Sequence, residues 1–352
     1  MEKKQYLPKR KTYKYIIILL FVLIAAIVVS ASLGSADLSI KETSIIIASH
    51  IPVIKNLTIN QTIDPLSERI ITQIRLPRIF LAVFAGIALA CAGVIYQGIF
   101  RNPLADPYII GVSAGASLGA TVGLLFISGM RLLSFSAANI LAFAGALGVT
   151  FFVYNISRIR NRISVVTLLL AGVAISALIS SINSFILIFK TQDMAKVIFW
   201  LMGGLTSASW WHLYTIVPVV ISVFIVSSFF MKDLNLISLS DQRASQLGVQ
   251  TEKVKVILLV LASIIAASAV SVSGIIGFIG LITPHIMRLI VGPDHKVLLP
   301  ASAVAGGIVL LFSDTLARTV LEPREIPVGI ITSIIGVPFF IYLLLRSKRK
   351  VF

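Results

Sequence analysis

Charged residues are scarce in this sequence: Asp, Glu, Lys and Arg make up 12% of its 352 residues, whereas hydrophobic residues make up 57%. Soluble globular domains average about 25% charged residues. A water-soluble fold would have to hide this apolar excess within its own surface, so the composition predicts a membrane protein. The apolar runs are about 18 to 25 residues long and do not alternate with polar residues, which predicts helices rather than a β-barrel.

Acidic residues are the rarer of the two signs, with 14 Asp and Glu against 30 Lys and Arg and a net charge of +16. Such an excess can indicate nucleic-acid binding when the basic residues cluster on one surface. Here they lie in short segments between apolar runs, where an excess of Lys and Arg marks the cytoplasmic side of a membrane. The sequence therefore predicts no nucleic-acid partner, and it predicts that both termini are cytoplasmic.

Several catalytic motifs are missing. The single cysteine, Cys91, excludes an intrachain disulfide and a cysteine metal cluster. The sequence contains neither a G-x-x-x-x-G-K-[ST] loop for ATP nor an H-E-x-x-H zinc motif. An intramembrane hydrolase would need a serine with an identifiable histidine partner, which the spacing does not supply. We therefore expect no enzyme activity, and no metal or cofactor bound by this chain.

Ionisable residues are also nearly absent from the middle of the apolar runs. Asp314 and Arg318, one helical turn apart near an outer end, are the exception and could neutralise each other. Ion-coupled carriers commonly place such residues inside the membrane. A stand-alone ion-coupled secondary transporter stays open as an alternative, but the pattern favours a carrier whose energy comes from another subunit.

The apolar runs predict ten spans in one transmembrane domain, residues 15–346, between a basic cytoplasmic N-terminus, residues 1–14, and a basic tail, residues 347–352. An even number of spans agrees with two basic, cytoplasmic termini. Small residues in several runs, as in GVSAGASLG, predict close helix contacts. The predicted spans are Tyr15–Leu33, Leu76–Phe100, Ile109–Ile127, Leu133–Ile156, Ile163–Phe189, Leu213–Met231, Val256–Val272, Gly274–Val291, Val297–Val320 and Val328–Leu345.

Two connections stand out from the others. The outer one, residues 37–74, contains a short apolar stretch that predicts an interfacial helix. The cytoplasmic one, Lys232–Lys255, has apolar residues at helical spacing among polar ones, which predicts two short helices joined at Gly248. A long, ordered connection is usually functional.

Three long stretches resemble the FecCD family of ABC importer permeases, which move iron-siderophore complexes, haem or cobalamin across bacterial membranes. The resemblance runs from about residue 75 to residue 346 and leaves out only the N-terminal part. The stretches are RLPRIFLAVFAGIALACAGVIYQGIFRNPLADPYIIGVSAGA, GFIGLITPHIMRLIVGPDHKVLLPASAVAGG and DTLARTVLEPREIPVGIITSIIGVPFFIYLLLR.

The resemblance implies an all-α, ten-helix fold of the cobalamin-permease type and a set of partners. These are two ABC ATPase subunits that use ATP, a second permease copy or a paralogue, and an extracytoplasmic substrate-binding protein. It also implies that Arg75, Arg78 and Arg324 receive glutamates of the binding protein. A guanidinium group suits this role because it pairs with a carboxylate in a bidentate, oriented way.

At the inner side, the resemblance implies a gate and a coupling site. Asn102 and Leu104 match residues that narrow the cytoplasmic mouth in the family, and Val165 and Val166 fall near a second constriction. Val165 and Val166 are apolar, whereas the cobalamin importer of this family has polar residues at the second constriction. The coupling site would lie in the Lys232–Lys255 connection and contact the ATPase subunits; its residues are Asp241, Arg243, Ser245, Gln246, Leu247, Gly248 and Val249.

The expected function is that of a permease subunit of an ATP-driven importer for a ferric siderophore, in the bacterial cytoplasmic (inner) membrane. Haem and cobalamin remain alternative cargoes. ATP hydrolysis is expected on the separate ATPase subunits.

Overall fold

The computed structural model describes residues 9–34, 38–50, 64–127, 131–132, 135–159 and 162–348. The described part is almost entirely helical, with two very short hairpins, β1 (Arg131–Leu132) with β2 (Phe135–Ser136) and β3 (Arg158–Ile159) with β4 (Arg162–Ile163). The helices are α1 (Lys9–Ser32), α2 (Ile40–Ser49), α3 (Pro65–Arg69), α4 (Leu76–Phe100), α5 (Val112–Phe126), α6 (Ala137–Ser157), α7 (Val165–Phe189), α8 (Met194–Leu201), α9 (Trp210–Phe229), α10 (Met231–Leu239), α11 (Asp241–Gln246), α12 (Thr251–Ser273), α13 (Ile279–Val291), α14 (His295–Thr319) and α15 (Val328–Lys348).

Ten of these helices correspond to the ten predicted spans. Seven helices in the described residues are long and apolar enough to cross a membrane, and α5, α13 and α15 are shorter apolar helices. The predicted all-α, polytopic fold is therefore confirmed. The predicted terminal segments lie largely outside the described residues. The short apolar stretch of the outer connection forms α2, and its position at the membrane interface stays a prediction.

The centre of the fold is α4, which packs against α9, α12, α13 and α14. In the span that contains α4, 83% of the residues in the apolar stretch are buried, compared with 17% in the spans of α1 and α7. Small residues allow the close contacts: a Cβ atom on Gly86 would lie 2.3 Å from the carbonyl oxygen of Gly306 on α14. A Cβ atom on Gly119 of α5 would lie 1.9 Å from the carbonyl oxygen of Leu141 on α6, so the predicted close packing of the GVSAGASLG run is confirmed.

The third and eighth predicted spans have breaks at their starts that hydropathy does not show. The eighth predicted span begins at Gly274, whereas α13 begins only at Ile279, because Gly274 (φ 67°) and Phe278 (φ 69°) have left-handed backbones that break the helix. The third predicted span loses its first residues to a 3₁₀ turn, Pro107–Ile110, before α5. The two breaks meet, since the Tyr108 hydroxyl donates a hydrogen bond to the carbonyl oxygen of Ile276 (2.9 Å).

The cytoplasmic connection contains the two predicted short helices, α10 and α11, but they do not join at Gly248. The break falls at Ser240, whose extended backbone ends α10 and whose hydroxyl accepts a hydrogen bond from the Arg243 amide (3.4 Å) at the start of α11. Gly248, with φ 86°, instead separates α11 from α12. The prediction was wrong on this point because the extended backbone of a serine N-cap can separate two helices without a glycine.

Candidate functional sites

A cluster of buried arginines lies at the predicted outer end of α4. Arg75 is 5% exposed, and its Nη1 donates hydrogen bonds to the carbonyl oxygens of Ala31 (2.7 Å) and Ser32 (3.0 Å) at the end of α1. The last carbonyl groups of a helix have no partner within the helix and carry a partial negative charge. Arg75 therefore caps α1.

Arg78 is 8% exposed and joins α4 to α14. Its Nε and Nη2 donate to Asp314 at 2.9 to 3.1 Å, and its Nη1 donates to Glu325 at 2.8 and 3.0 Å. The Asp314 side chain is completely buried, whereas that of Glu325 is 38% exposed. The Arg78 guanidinium therefore fixes two carboxylates at once.

Arg318 completes this cluster without being the main partner of Asp314. Its Nε lies 3.8 Å from Asp314, while its other nitrogens donate to the Leu33 carbonyl oxygen (2.9 Å) and the Ser30 hydroxyl (2.6 Å) on α1. The suggestion that Asp314 and Arg318 neutralise each other agrees with this ion pair, but Arg78 holds Asp314 at shorter distances.

Arg324 differs from Arg75 and Arg78, with which the sequence grouped it. It lies in the exposed turn after α14, and only its backbone amide is engaged, by donation to the Leu321 carbonyl oxygen (2.9 Å). Its side chain has no hydrogen bond or ion pair with any other described residue. Of the three predicted docking arginines, the structure therefore leaves Arg324 with its guanidinium group free to meet a partner.

The four predicted gate residues lie in two segments, the loop after α4 and the start of α7. Asn102 and Leu104 form a compact loop after α4, in which the Asn102 Oδ1 accepts a hydrogen bond from the Leu104 amide (3.0 Å). Val165 and Val166 are the first residues of α7, and the Val166 side chain is exposed. No hydrogen bond links the two pairs within the described residues, and their gating role stays a prediction.

The predicted coupling residues form α11 and the turn after it. Five of them are exposed, and the Leu247 side chain is among these, with Leu247 68% exposed. Val249 is half-buried, with its amide bonded to the Ala244 carbonyl oxygen (3.0 Å). The exposed five are Arg243, Ser245, Gln246, Leu247 and Gly248.

Asp241 behaves differently from the rest of this set. Its carboxylate accepts a hydrogen bond from Lys255 Nζ (2.7 Å) and forms an ion pair with Arg101, the residue that ends α4. Sequence reasoning missed Arg101, since nothing in the RNPLADP stretch indicates that its arginine turns toward α10 and α11. Asp241 therefore faces the transmembrane helices.

The model of the FecCD transport family matches residues 20–346. The chain belongs to this family. A cobalamin import system permease protein from Halobacterium salinarum is 43% identical over 279 residues, which cover 79% of this chain and 74% of the relative. An Fe(3+)-citrate import system permease protein from Bacillus subtilis is 37% identical over 350 residues, which cover 99% of each chain.

A solved ABC transporter of metal-chelate type, in an inward-facing conformation, shares this fold. It is 31% identical, has a TM-score of 0.81, and the match covers 95% of this chain and 99% of that one. The predicted family is therefore confirmed, and this FecCD protein is a multi-pass membrane permease of the ABC importer type. Members of the family are transport subunits rather than enzymes.

Proposed function

We propose that this FecCD permease imports a ferric chelate of the siderophore or citrate type in an ATP-driven complex of the bacterial cytoplasmic membrane. The observation that supports this cargo is the end-to-end match with the Fe(3+)-citrate permease, which covers 99% of both chains. Cobalamin is the second candidate, because the cobalamin permease has the higher identity, 43%, over a shorter part of the chain. Haem, the other cargo expected from the sequence, is tested alongside.

The cargo path is proposed to run along α7 and α15, between this chain and a second permease copy or a paralogue. Most of α7 is exposed in the single chain. One face of it carries the exposed small or hydroxyl residues Ala174, Ala177, Ser181 and Ser184 at helical spacing. The Ser181 and Ser184 hydroxyls donate to carbonyl oxygens of their own helix (3.0 and 2.9 Å), which leaves a smooth, weakly binding surface. Such a surface suits a path that must release its cargo.

The energy is proposed to come from two ABC ATPase subunits that bind at α11. This chain has no phosphate-binding loop of its own. The exposed Leu239 and Leu247, 69% and 68% exposed, flank α11 on the inner side and offer apolar contacts to a partner subunit. ATP is used by those subunits, and no cofactor is proposed for this chain.

A reconstituted uptake assay tests the cargo. Proteoliposomes would contain this permease, its ATPase subunits and its binding protein, and radioactive ferric citrate would be supplied with ATP. We expect ATP-dependent accumulation of iron that excess cyanocobalamin and excess haemin leave unchanged. If cyanocobalamin or haemin reduced the accumulation of iron, the cargo would instead be cobalamin or haem. Accumulation by the permease alone without ATP would contradict an ATP-driven importer and favour a secondary transporter.

Binding-protein docking is proposed to depend most on Arg324. Replacing Arg324 with glutamate should weaken binding of the binding protein more than tenfold, because a charge-assisted hydrogen bond of about 1.5–3 kcal/mol is replaced by repulsion. Binding to the permease in nanodiscs would be measured by surface plasmon resonance. The matched control is Arg69→Glu, which reverses another exposed charge on the outer side.

The unfolding temperature separates this role from a structural one. Since the Arg324 side chain has no partner in the described chain, Arg324→Glu should leave that temperature unchanged. Unaltered affinity in Arg324→Glu would show that docking uses other residues.

A further inference from the structure

Arg101 occupies a strained position at the inner end of α4. Its φ of 51° lies in the left-handed region, which costs a residue with a Cβ atom roughly 1–2 kcal/mol. The backbone amide of Arg101 donates to the Gly98 carbonyl oxygen (3.3 Å), so the residue closes the helix. From this position its side chain reaches α10 and α11 and stays partly exposed to solvent.

The Arg101 side chain reaches both of those helices. Its Nε donates to the carbonyl oxygen of Ile237 on α10 (2.7 Å), and its Nη2 pairs with Asp241 at the start of α11. Asp241 is held from the other side by Lys255 of α12, whose side chain is only 5% exposed. Solvent weakens the pair between Arg101 and Asp241, whose side chains are 37% and 44% exposed, whereas the contact from Lys255 comes from a buried side chain. The beginning of α11 is therefore tied to the end of α4.

A second tie joins α10 to α14. The Asn235 amide group donates to the Asp294 carboxylate (2.7 Å), and its Oδ1 accepts a hydrogen bond from the His295 backbone amide (2.9 Å). Asp294 is the N-cap of α14. Both the nitrogen and the oxygen of the Asn235 side-chain amide therefore bind the first turn of α14.

The apolar packing of α10 is tight on one side only, so the hydrogen bonds of Arg101 and Asn235 also hold this helix in place. Leu234 lies tightly on α4, where a Cβ atom on Gly98 would come within 2.8 Å of it. Beside this contact, an open pocket of about 620 Å³ is lined by residues of α10, α13 and α14, and Arg101 and Asn235 are among its lining residues.

We propose that Arg101 is a positioning residue that transmits the displacement of α10 and α11 to the predicted gate loop, Asn102 to Leu104. The loop follows Arg101 directly in the chain and is kept compact by its own hydrogen bond, so it must move when Arg101 moves. Asn235 makes α14 follow the same displacement. The inference rests on the proposed ATP-driven function, and it supplies the physical link that such a switch requires between two arrangements.

A spin label on the gate loop tests this link without any cargo. The label would be placed at Leu104→Cys in a Cys91→Ala background, in the complex with the ATPase subunits, and its spectrum compared before and after vanadate trapping of ATP. Trapping should change the spectrum of the otherwise unaltered complex. Arg101→Met, which removes the donors but keeps an unbranched side chain, should reduce that change at least twofold, and Arg101→Lys should have a smaller effect.

A double-mutant comparison shows whether Arg101 acts through Asp241. Asp241→Asn should also reduce the spectral change, and combining it with Arg101→Met should reduce the change no further than the larger single effect. The matched control is Lys296→Gln, which removes an exposed positive charge at the same side of the membrane.

The outcomes separate the inference from the proposed function. A full spectral change in Arg101→Met with normal nucleotide trapping would overturn the inference alone, as would a label that never responds to trapping. Failure of the unaltered permease to assemble with ATPase subunits would overturn the proposed function as well. A merely structural role for Arg101 would lower the amount of assembled complex in Arg101→Met, whereas we expect assembly and trapped nucleotide to be unchanged.

Discussion

Replacing Arg78 with alanine is expected to lower the free energy of unfolding by about 3–5 kcal/mol, the usual effect of breaking a buried ion pair. The reason is that Asp314, whose side chain is completely buried, would lose its three hydrogen bonds to Arg78. Arg318 forms only a longer ion pair with Asp314, at 3.8 Å. Unfolding in detergent, followed by circular dichroism during denaturant titration, measures the loss.

The control for this prediction is Arg324→Ala, which removes an exposed arginine at the same end of the molecule and should change the stability by no more than about 0.5 kcal/mol. A second variant separates charge from packing. Arg78→Met combined with Asp314→Leu replaces both charges with apolar side chains of similar size, and it should recover most of the lost stability. Equal stability of Arg78→Ala and Arg324→Ala would contradict the assigned role of the buried pair.

The two arginines of RLPR show where sequence reasoning stops. The family resemblance implies that both of them receive glutamates of a binding protein. In the structure Arg78 donates hydrogen bonds to Asp314, which is 236 residues away in the chain, and Arg75 donates hydrogen bonds to the end of α1. Pairing over such distances depends on which helices pack together, and helix order in the bundle is not encoded by the spacing of residues.

The spans themselves could be predicted well, because hydrocarbon sets their length and composition. The breaks inside them could not. Hydropathy continues from Gly274 to Val291, yet the helix starts only at Ile279, since the left-handed backbone at Phe278 is a tertiary feature: its ring packs against Gly336 of α15. Hydropathy measures transfer to lipid and carries no information on backbone angles.

The two short helices of the cytoplasmic connection could be predicted from its length and amphipathic spacing, but the residues that fasten them to the rest of the fold could not. Asn235 and Arg101 look like ordinary polar residues of a cytoplasmic surface. Their hydrogen bonds and ion pair have partners in α10, α11 and α14, so only the folded arrangement reveals these contacts.

The second large effect is expected from a single methyl group at Gly93. On α4, a Cβ atom at this position would lie 1.8 Å from the carbonyl oxygen of Gly280 on α13. The obstacle is backbone, which cannot rotate away as a side chain can. Gly93→Ala should therefore force α4 and α13 apart and lower the free energy of unfolding by about 3 kcal/mol or more, at or beyond the upper end of ordinary overpacking effects.

Gly148→Ala provides the matched control, because Gly148 lies inside α6 and a Cβ atom there would meet nothing within 4 Å. Alanine is the better helix former by about 1 kcal/mol, so this variant should be as stable as the original or slightly more stable. Denaturant titration of both variants gives the comparison. Close backbone contact is what holds helices together in lipid, where apolar burial gives little drive. If both variants unfolded alike, the α4 to α13 contact would not be among the interactions that stabilise this permease.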